Sequence, residues 1–272
     1  MRPEREDIAA PELPDRMRWL NTESPPKMDE LTAAGPVLVH FFDFAQLNSV
    51  RAMPYVVAWN DRYRDHGLSV LGVHSPRLAI TSDPQAVAAG LERLCVRHPV
   101  AADVEYRIWH DYGCRGWPSL FLWGRGGALR WFHFGEGEYV ATELAIQEAL
   151  GAIAAGLPKP LAPLRDTDAP DALVAPPTDE VYPGGSATQP WRSNGADGAI
   201  ALDYAAGGVH ASATGTGELR AIVDGGEPWT VAVDGPGLYD LAMHPRHESH
   251  RLRLEADPGV EVYSVSFSAG IP

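Results

Sequence analysis

The first half of the chain alternates short apolar runs with segments of helical periodicity. The run 37–42 (VLVHFF) is typical of a strand buried on both faces. A helix should follow it, because Val50, Met53 and Val57 recur at helical spacing. Pro54 lies inside that helix and should kink it.

The same alternation continues to about residue 155. A further helix is predicted to begin at Pro84, with Asp83 as its N-cap. In full, this half is expected to contain further strands at 68–73, 98–103, 119–123 and 129–137. Its helices, including the one capped by Asp83, are expected at 83–98, 105–113 and 138–156. This order predicts a mixed sheet covered by helices on both faces.

The second half has a different pattern of apolar, proline and glycine residues. A proline-rich stretch at 156–177 has no apolar period and is predicted to be a semi-extended linker. Beyond it, short alternating runs are separated by turn residues, which is typical of an antiparallel, jelly-roll-like β-sandwich. Those runs are 199–205, 210–215, 218–224, 229–235, 250–256 and 260–268. The predicted organisation is an α/β domain at 1–155, the linker, and the β-sandwich at 178–272.

Charge and composition limit the partners. The formal net charge is −14 in 272 residues, which argues against binding nucleic acid or anionic lipid through a basic surface. The charged N-terminus lacks the apolar stretch of a signal peptide, and no run reaches the ~20 apolar residues of a membrane span. A cytoplasmic protein with no membrane contact is expected.

Several short motifs together resemble one family. The motifs are the WLNT-containing lead at 10–31, GVHSP at 72–76, DYGCRGWPS at 111–119, HFGEGEY at 133–139, VAVDGPGLYDL at 231–241 and GVEVYSVSF at 259–267. In this order they resemble bacterial-type thioredoxin-like proteins, and more closely the membrane-associated or extracytoplasmic thioredoxin-like reductases with an AhpC/TSA- or redoxin-type core. The β-rich tail is similar to the small carbohydrate-module-like domain that follows the thioredoxin domain in DipZ-type proteins. The resemblance implies a thioredoxin-like α/β domain.

Two prolines fix the register of the resemblance. In this family the second redox cysteine lies five residues before the helix-kinking proline, which places Ser49 at that position. The first cysteine lies three residues earlier, where this chain has Gln46. The proline that faces the loop, preceded by a cis peptide bond in the family, corresponds to Pro118 after Trp117.

The loss of both cysteines changes the expected function. Thiol–disulfide exchange needs an attacking thiolate and a second thiol, so oxidoreductase activity is not expected here. The leading hypothesis is a redox-inactive protein that binds a protein partner or a small ligand at the former active-site groove. That groove is defined by Gln46, Asn48, Ser49, Trp117 and Pro118. The structural alternative is that Asn48 or Ser49 only caps the helix. No cofactor is implied.

An enzymatic alternative uses the remaining polar residues. Cys114 could support single-cysteine chemistry, with His74, Gln46 or Ser49 as polar helpers. Against this, Cys114 also reads as a small hydrophobic residue at a helix end. Cys95 is interpreted as a core residue of its amphipathic helix, and a disulfide between the two cysteines is not expected in a reducing cytosol.

Two clusters, one of histidines and one of glutamates, are candidates for a metal site and an acid–base pair. His244, His247 and His250 are close in sequence, but their spacing fits neither a helix face nor strand alternation, so no metal site is predicted. Glu136 and Glu138 could form an acid–base pair, but a solvated turn is the simpler interpretation.

Aromatic residues in the tail give a third functional hypothesis, carbohydrate binding. Five of them could form a stacking surface for sugar rings or could instead fill the sandwich core. They are Trp191, Tyr204, Trp229, Tyr239 and Tyr263.

Overall fold

The computed structural model describes residues 1–5, 7–14, 16–151, 156–193 and 198–272. The chain divides into two compact units. The first consists of Met1–Phe44, Asn48–Pro76 and Val87–Leu164, and the second of Ala45–Leu47, Arg77–Ala86 and Arg165–Pro272. The predicted boundary at residue 155 and the predicted helix end at 152–156 fall on or beside residues 152–155, which lie outside the described residues.

The first unit is built on a mixed six-stranded sheet, in the order β1-β4-β3-β2-β5-β6. The strands are β1 (Arg18–Leu20), β2 (Val37–Phe42), β3 (Ser69–His74), β4 (Val100–Ala102), β5 (Ser119–Trp123) and β6 (Leu129–Phe134). Strands β2, β3 and β4 are parallel, while β1, β5 and β6 run antiparallel to their neighbours. The central strand β2 is buried along its whole length, as its unbroken apolar run predicts.

Helices connect these strands. They are α1 (Met28–Ala34), α2 (Leu47–Tyr63), α3 (Pro84–Arg93), α4 (Arg107–Asp111) and α5 (Tyr139–Gly151), with short 3₁₀ turns at Arg64–His66, Ala79–Thr81 and Asp166–Asp168. Pro54 lies inside α2. The start of α3 follows its predicted signal, because the Asp83 carboxylate accepts a hydrogen bond from the Gln85 N–H at 3.1 Å.

One face of this sheet carries an aromatic core. Phe41 lies 5.2 Å from Tyr112, 5.8 Å from Phe121 and 6.1 Å from Trp109, measured between ring centroids. The same cluster includes Met28 of α1. Burial of such large rings is a main source of stability in a domain of this size.

The second unit contains one antiparallel sheet with long strands. They are β7 (Trp191–Arg192), β8 (Ile200–Val223), β9 (Trp229–Asp234), β10 (Gly237–Ala256) and β11 (Val260–Ser268). Strand β8 pairs with β9, β10 and β11. Its pairing with β10 is antiparallel, because partner numbers run in opposite directions: Gly237 faces Ala213 and Leu254 faces Ile200. The sheet encloses a core of its own.

These two units confirm the predicted fold class: a mixed sheet with flanking helices and an all-β part. One detail of the prediction was wrong. The runs 199–205, 210–215 and 218–224 are parts of a single 24-residue strand, β8, because its glycines bend the strand without ending it. Among the described residues, no helix combines the length and apolar character that crossing a bilayer requires.

Buried histidines occupy the core of the first unit. His40 in β2 and His98 before β4 are 0% and 3% exposed. Among the described residues, none hydrogen-bonds to either ring nitrogen of these two side chains. Burial lowers the pKa of His40 to about 3, helped by the charge of His98, and lowers the pKa of His98 to about 4, against the charge of Asp61.

This burial predicts acid sensitivity. Because the folded-state pKa values lie below the ordinary value of 6.5, the unfolded chain binds these protons first, and stability falls as the pH drops below about 6.5. Each histidine should add a slope of about 1.4 kcal/mol per pH unit between about pH 4.5 and 6. Urea unfolding at several pH values measures this slope.

A matched pair of variants isolates the effect. His40→Leu should lower the slope by about 1.4 kcal/mol per pH unit, independently of its effect on the absolute stability. His110→Gln changes an exposed histidine and should leave the slope unaltered. An unchanged slope in His40→Leu would contradict the assignment.

Candidate functional site

The connection between β2 and α2 is short and largely buried. Asp43 and Ala45 are fully buried, while Gln46 and Asn48 are half-buried. Helix α2 begins at Leu47, so the expectation that Asn48 or Ser49 caps the helix was wrong: both lie within its first turn. The hydroxyl of Ser49 instead accepts a hydrogen bond from the backbone N–H of Asp43 at 3.3 Å. Ser49 thus stabilises the loop that precedes the helix.

A second hydroxyl anchors the same loop within the second unit. The Ser212 side chain on β8 donates to the carbonyl of Ala45 at 2.7 Å. Ser264 on β11 in turn donates to the Ser212 hydroxyl at 3.0 Å. All three residues are buried. A buried backbone carbonyl without a partner costs about 1–3 kcal/mol, so this chain of hydroxyls stabilises the loop at Ala45.

Trp117 and Pro118 lie immediately before β5 in the first unit and are together called the Trp117 edge. The peptide bond between them is cis. The indole N–H of Trp117 donates to the carbonyl of Ser75 at 2.7 Å, and its ring lies 4.2 Å from that of Trp109. Among the described residues, no backbone hydrogen bond involves the amide or carbonyl of Trp117. The side chain is therefore held in place by Ser75 and Trp109.

His74 is not placed for acid–base chemistry. It is fully buried at the end of β3, with its ring stacked 5.3 Å from Phe44 and edge-on to Phe42. Burial lowers its pKa, against the opposing charge of Asp43. Within the described part of the chain, neither ring nitrogen has a hydrogen-bond partner. A neutral imidazole sealed from water serves packing.

The two cysteines are free thiols with different surroundings. Cys114 is half-buried just after α4, and burial raises the pKa of its thiol, which disfavours the reactive thiolate. The interpretation of Cys95 as a core residue was wrong. Helix α3 ends at Arg93, and Cys95 lies exposed in the following turn with a φ of 57°.

Glu136 and Glu138, the candidate acid–base pair, have different surroundings. Glu136 forms an ion pair with Arg51 of α2 at 2.6 Å, with side chains 22% and 10% exposed. Glu138 is exposed in the turn before α5. The carbonyl of Glu136 lies 3.3 Å from the ring of His133, whose pKa is lowered by burial. The sequence reasoning missed Arg51, although its place in α2 puts it one turn beyond the loop.

The tail histidines stack on one another. The rings of His244 and His250 are 3.9 Å apart, and Tyr204 and Asp224 hydrogen-bond to them at 2.8 Å and 2.7 Å respectively. Among the described residues, no three His, Cys, Asp or Glu side chains converge as metal ligands.

The tail aromatics mostly pack inside the second unit. Tyr204, Tyr239 and Tyr263 are buried, and Trp191 packs against the core. Trp229 is different, with 65% of its surface exposed. Burial of the three tyrosines and packing of Trp191 against the core argue against a shared sugar-stacking surface.

Two networks in the second unit were not anticipated. Arg77 bonds to both Glu180 and Tyr182 at 2.5 Å. On the sheet, His210 bridges Asp240 at 2.7 Å and Ser268 at 3.1 Å. The order of groups matches a hydrolase triad, but Ser268 is only 2% exposed while the Asp240 side chain is 75% exposed. Because the Ser268 hydroxyl, which would have to be the nucleophile, is buried, we interpret the network as structural. It links strands β10, β8 and β11.

Comparison with known proteins supports this architecture. Residues 185–268 match the family described as "Thioredoxin like C-terminal domain". The chain is 31% identical to Protein DipZ of Mycobacterium bovis across 95% of its own length and 42% of that protein. The chain therefore spans less than half of the DipZ proteins that it matches.

Other matches cover about half of the chain. Thiol-disulfide oxidoreductase YkuV of Bacillus subtilis is 28% identical over 46% of this chain and 82% of that protein. The structure of a thiol-disulfide isomerase from Corynebacterium glutamicum is similar with a TM-score of 0.44 and 23% identity, over 54% of this chain and 97% of the other. The resemblance to thioredoxin-like proteins is confirmed by the relatives and the family match.

The cysteine environments predict a clear order of reactivity. With iodoacetamide near neutral pH, exposed Cys95 should be alkylated first. Cys114 should react at least about tenfold more slowly, because the thiolate fraction falls tenfold for each unit by which the pKa rises. Peptide mass spectrometry over time separates the two sites.

The control is the same reaction in urea, where the two rates should converge. Faster labelling of Cys114 than of Cys95 in the folded protein would contradict this order and would revive single-cysteine chemistry.

Proposed function

We propose that this chain is a thioredoxin-like binding protein that does not exchange thiols and disulfides at its loop. The observation that carries the proposal is the identity and role of the loop residues. In the register that Pro54 sets by resemblance to the family, Gln46 and Ser49 take the two cysteine positions, and the Ser49 hydroxyl accepts the Asp43 N–H. A hydroxyl is not ionised near neutral pH and needs an adjacent base to attack.

The remaining thiols support the same proposal. Exchange needs a thiolate that attacks and a second thiol that resolves the mixed disulfide. Cys114 is half-buried with a raised pKa, and Cys95 is exposed in the turn after α3. Two unpaired thiols also favour a reducing compartment such as the cytoplasm.

The proposed ligand is an extended segment of polypeptide. An extended segment can be held by hydrogen bonds to backbone groups that make no bond within the sheet, and Trp117, two residues before β5, offers an amide and a carbonyl. The indole, fixed by Ser75 and Trp109, holds this backbone in place. A net charge of −14 disfavours nucleic acid as the partner.

An insulin-reduction assay with dithiothreitol tests the first part. The natural chain should not exceed the background rate of dithiothreitol alone, because its loop holds no thiol. Gln46→Cys combined with Ser49→Cys restores both thiols and should raise the rate above background.

The matched control is Gln46→Ser, which changes the same position without adding a thiol and should stay at background. A natural chain as active as an ordinary thioredoxin would refute the redox-inactive part of the proposal.

Hydrogen exchange tests the second part. Peptides selected from a displayed random library on the whole chain should slow amide exchange at Trp117 when bound, because its N–H gains a backbone acceptor. A version of the same peptide with N-methylated backbone keeps the side chains and loses donors, so it should bind at least about tenfold more weakly. Protection confined to other segments would contradict the Trp117 edge.

A further inference from the structure

A cavity in the first unit lies apart from the Trp117 edge. Its volume is about 320 Å³, within the range of about 300–1,000 Å³ that is usual for small-ligand sites. Its polar lining comes from Arg2, Arg125, Arg130 and Glu148, and apolar lining comes from residues such as Leu129. It shares no residue with the predicted groove.

The charge of this cavity is opposite to that of the protein. Three guanidinium groups face one carboxylate, so the lining has an excess of two positive charges in a chain with a net charge of −14. Arginine side chains present several N–H donors in a planar fork that fits carboxylate and phosphate groups. Acidic residues elsewhere on the surface act at longer range and are screened beyond about 10 Å in ordinary salt.

The lining carboxylate shows how an anion can sit among these arginines. Arg2 binds Glu148 with both nitrogens of its fork, at 3.2 Å and 2.5 Å. Hydrogen bonding from Arg2 holds the pKa of Glu148 below its usual range, and the charges of Arg2 and Arg130 act in the same direction. One carboxylate therefore already occupies part of the cluster, and it leaves positive charge unbalanced.

Two features hold the other arginines in place. The Nε of Arg125 donates to the carbonyl of Ala33 at 3.1 Å. Arg130 crosses Gly124 so closely that a Cβ there would lie 2.8 Å from its Nε. Glycine at position 124 thus gives the Arg130 side chain its path along the cavity wall.

We propose that this arginine cavity binds a small organic molecule carrying two or more anionic groups, either phosphates or carboxylates. One anionic group would interact with Arg125 and Arg130, and a second would interact with Arg2 in competition with Glu148. The apolar lining suits a short carbon segment between the charged groups. This site is independent of polypeptide binding at the Trp117 edge.

Titration calorimetry on the full chain tests the cavity, with inorganic pyrophosphate and citrate as probes. At least one probe should bind saturably to a single site. Arg125→Ala and Arg130→Ala should each weaken that binding at least about tenfold. Arg97→Ala removes the charge of an exposed arginine outside the cavity and should change affinity less than about twofold. Tighter binding of pyrophosphate indicates phosphate ligands, and tighter binding of citrate indicates carboxylates.

Two further variants distinguish a shaped site from general charge. Glu148→Gln removes the internal competitor and should tighten binding. Gly124→Ala keeps every charge, displaces Arg130, and should weaken binding at least about threefold. The proposal is overturned if neither probe saturates below about 10 mM, or if Arg97→Ala weakens binding as much as the cavity variants.

Discussion

The structure depends on satisfying the backbone of one buried loop. Between β2 and α2 the chain turns sharply with Asp43 and Ala45 out of reach of water. Buried N–H and C=O groups must be hydrogen-bonded, since an unpaired one costs about as much as a tenth or more of the stability of a typical domain. Hydroxyls from Ser49 and Ser212 meet that need. A thiol at position 49 would be a weaker acceptor. Ser49, at the position predicted for the second redox cysteine, is thus the residue that supports the loop.

Burial also sets the protonation of two groups that the sequence predicts near the loop. The sequence predicts His74 close to the loop. In the structure His74 is packed against two phenylalanines, and burial keeps its imidazole neutral. Cys114 is kept protonated by burial too. A nucleophile or base needs its charged or basic form in contact with substrate. At Trp117 the indole is held in place, and among the described residues the amide and carbonyl make no backbone hydrogen bond.

Much of the fold could be predicted because burial leaves a clear pattern in sequence. Strands β2, β5 and β11 match their predicted limits, since each is an apolar run buried along most of its length. The sequence predicts three separate strands where the structure has β8, because the glycines between the runs are typical of turns. In the structure Gly207 faces the backbone of Ala269 and Gly270, where any side chain would collide, so its role is close approach within the sheet. Cys95 was misplaced because one residue in a left-handed conformation ends the helical pattern early.

The site could be predicted only in part, because its partners come from far along the chain. The register set by Pro54 predicts Gln46 and Ser49 as site residues, but Ser212 is 167 residues away from the carbonyl that it holds. No periodicity links such positions, and a serine in a strand of small residues carries no sign of its partner. The arginine cavity is a similar case. Arg2, Arg125 and Glu148 are ordinary surface residues in sequence, and only the folded chain gives them a common cavity. Hydrophobic pattern therefore determines where elements lie, whereas polar function depends on which distant side chains the packed elements bring together.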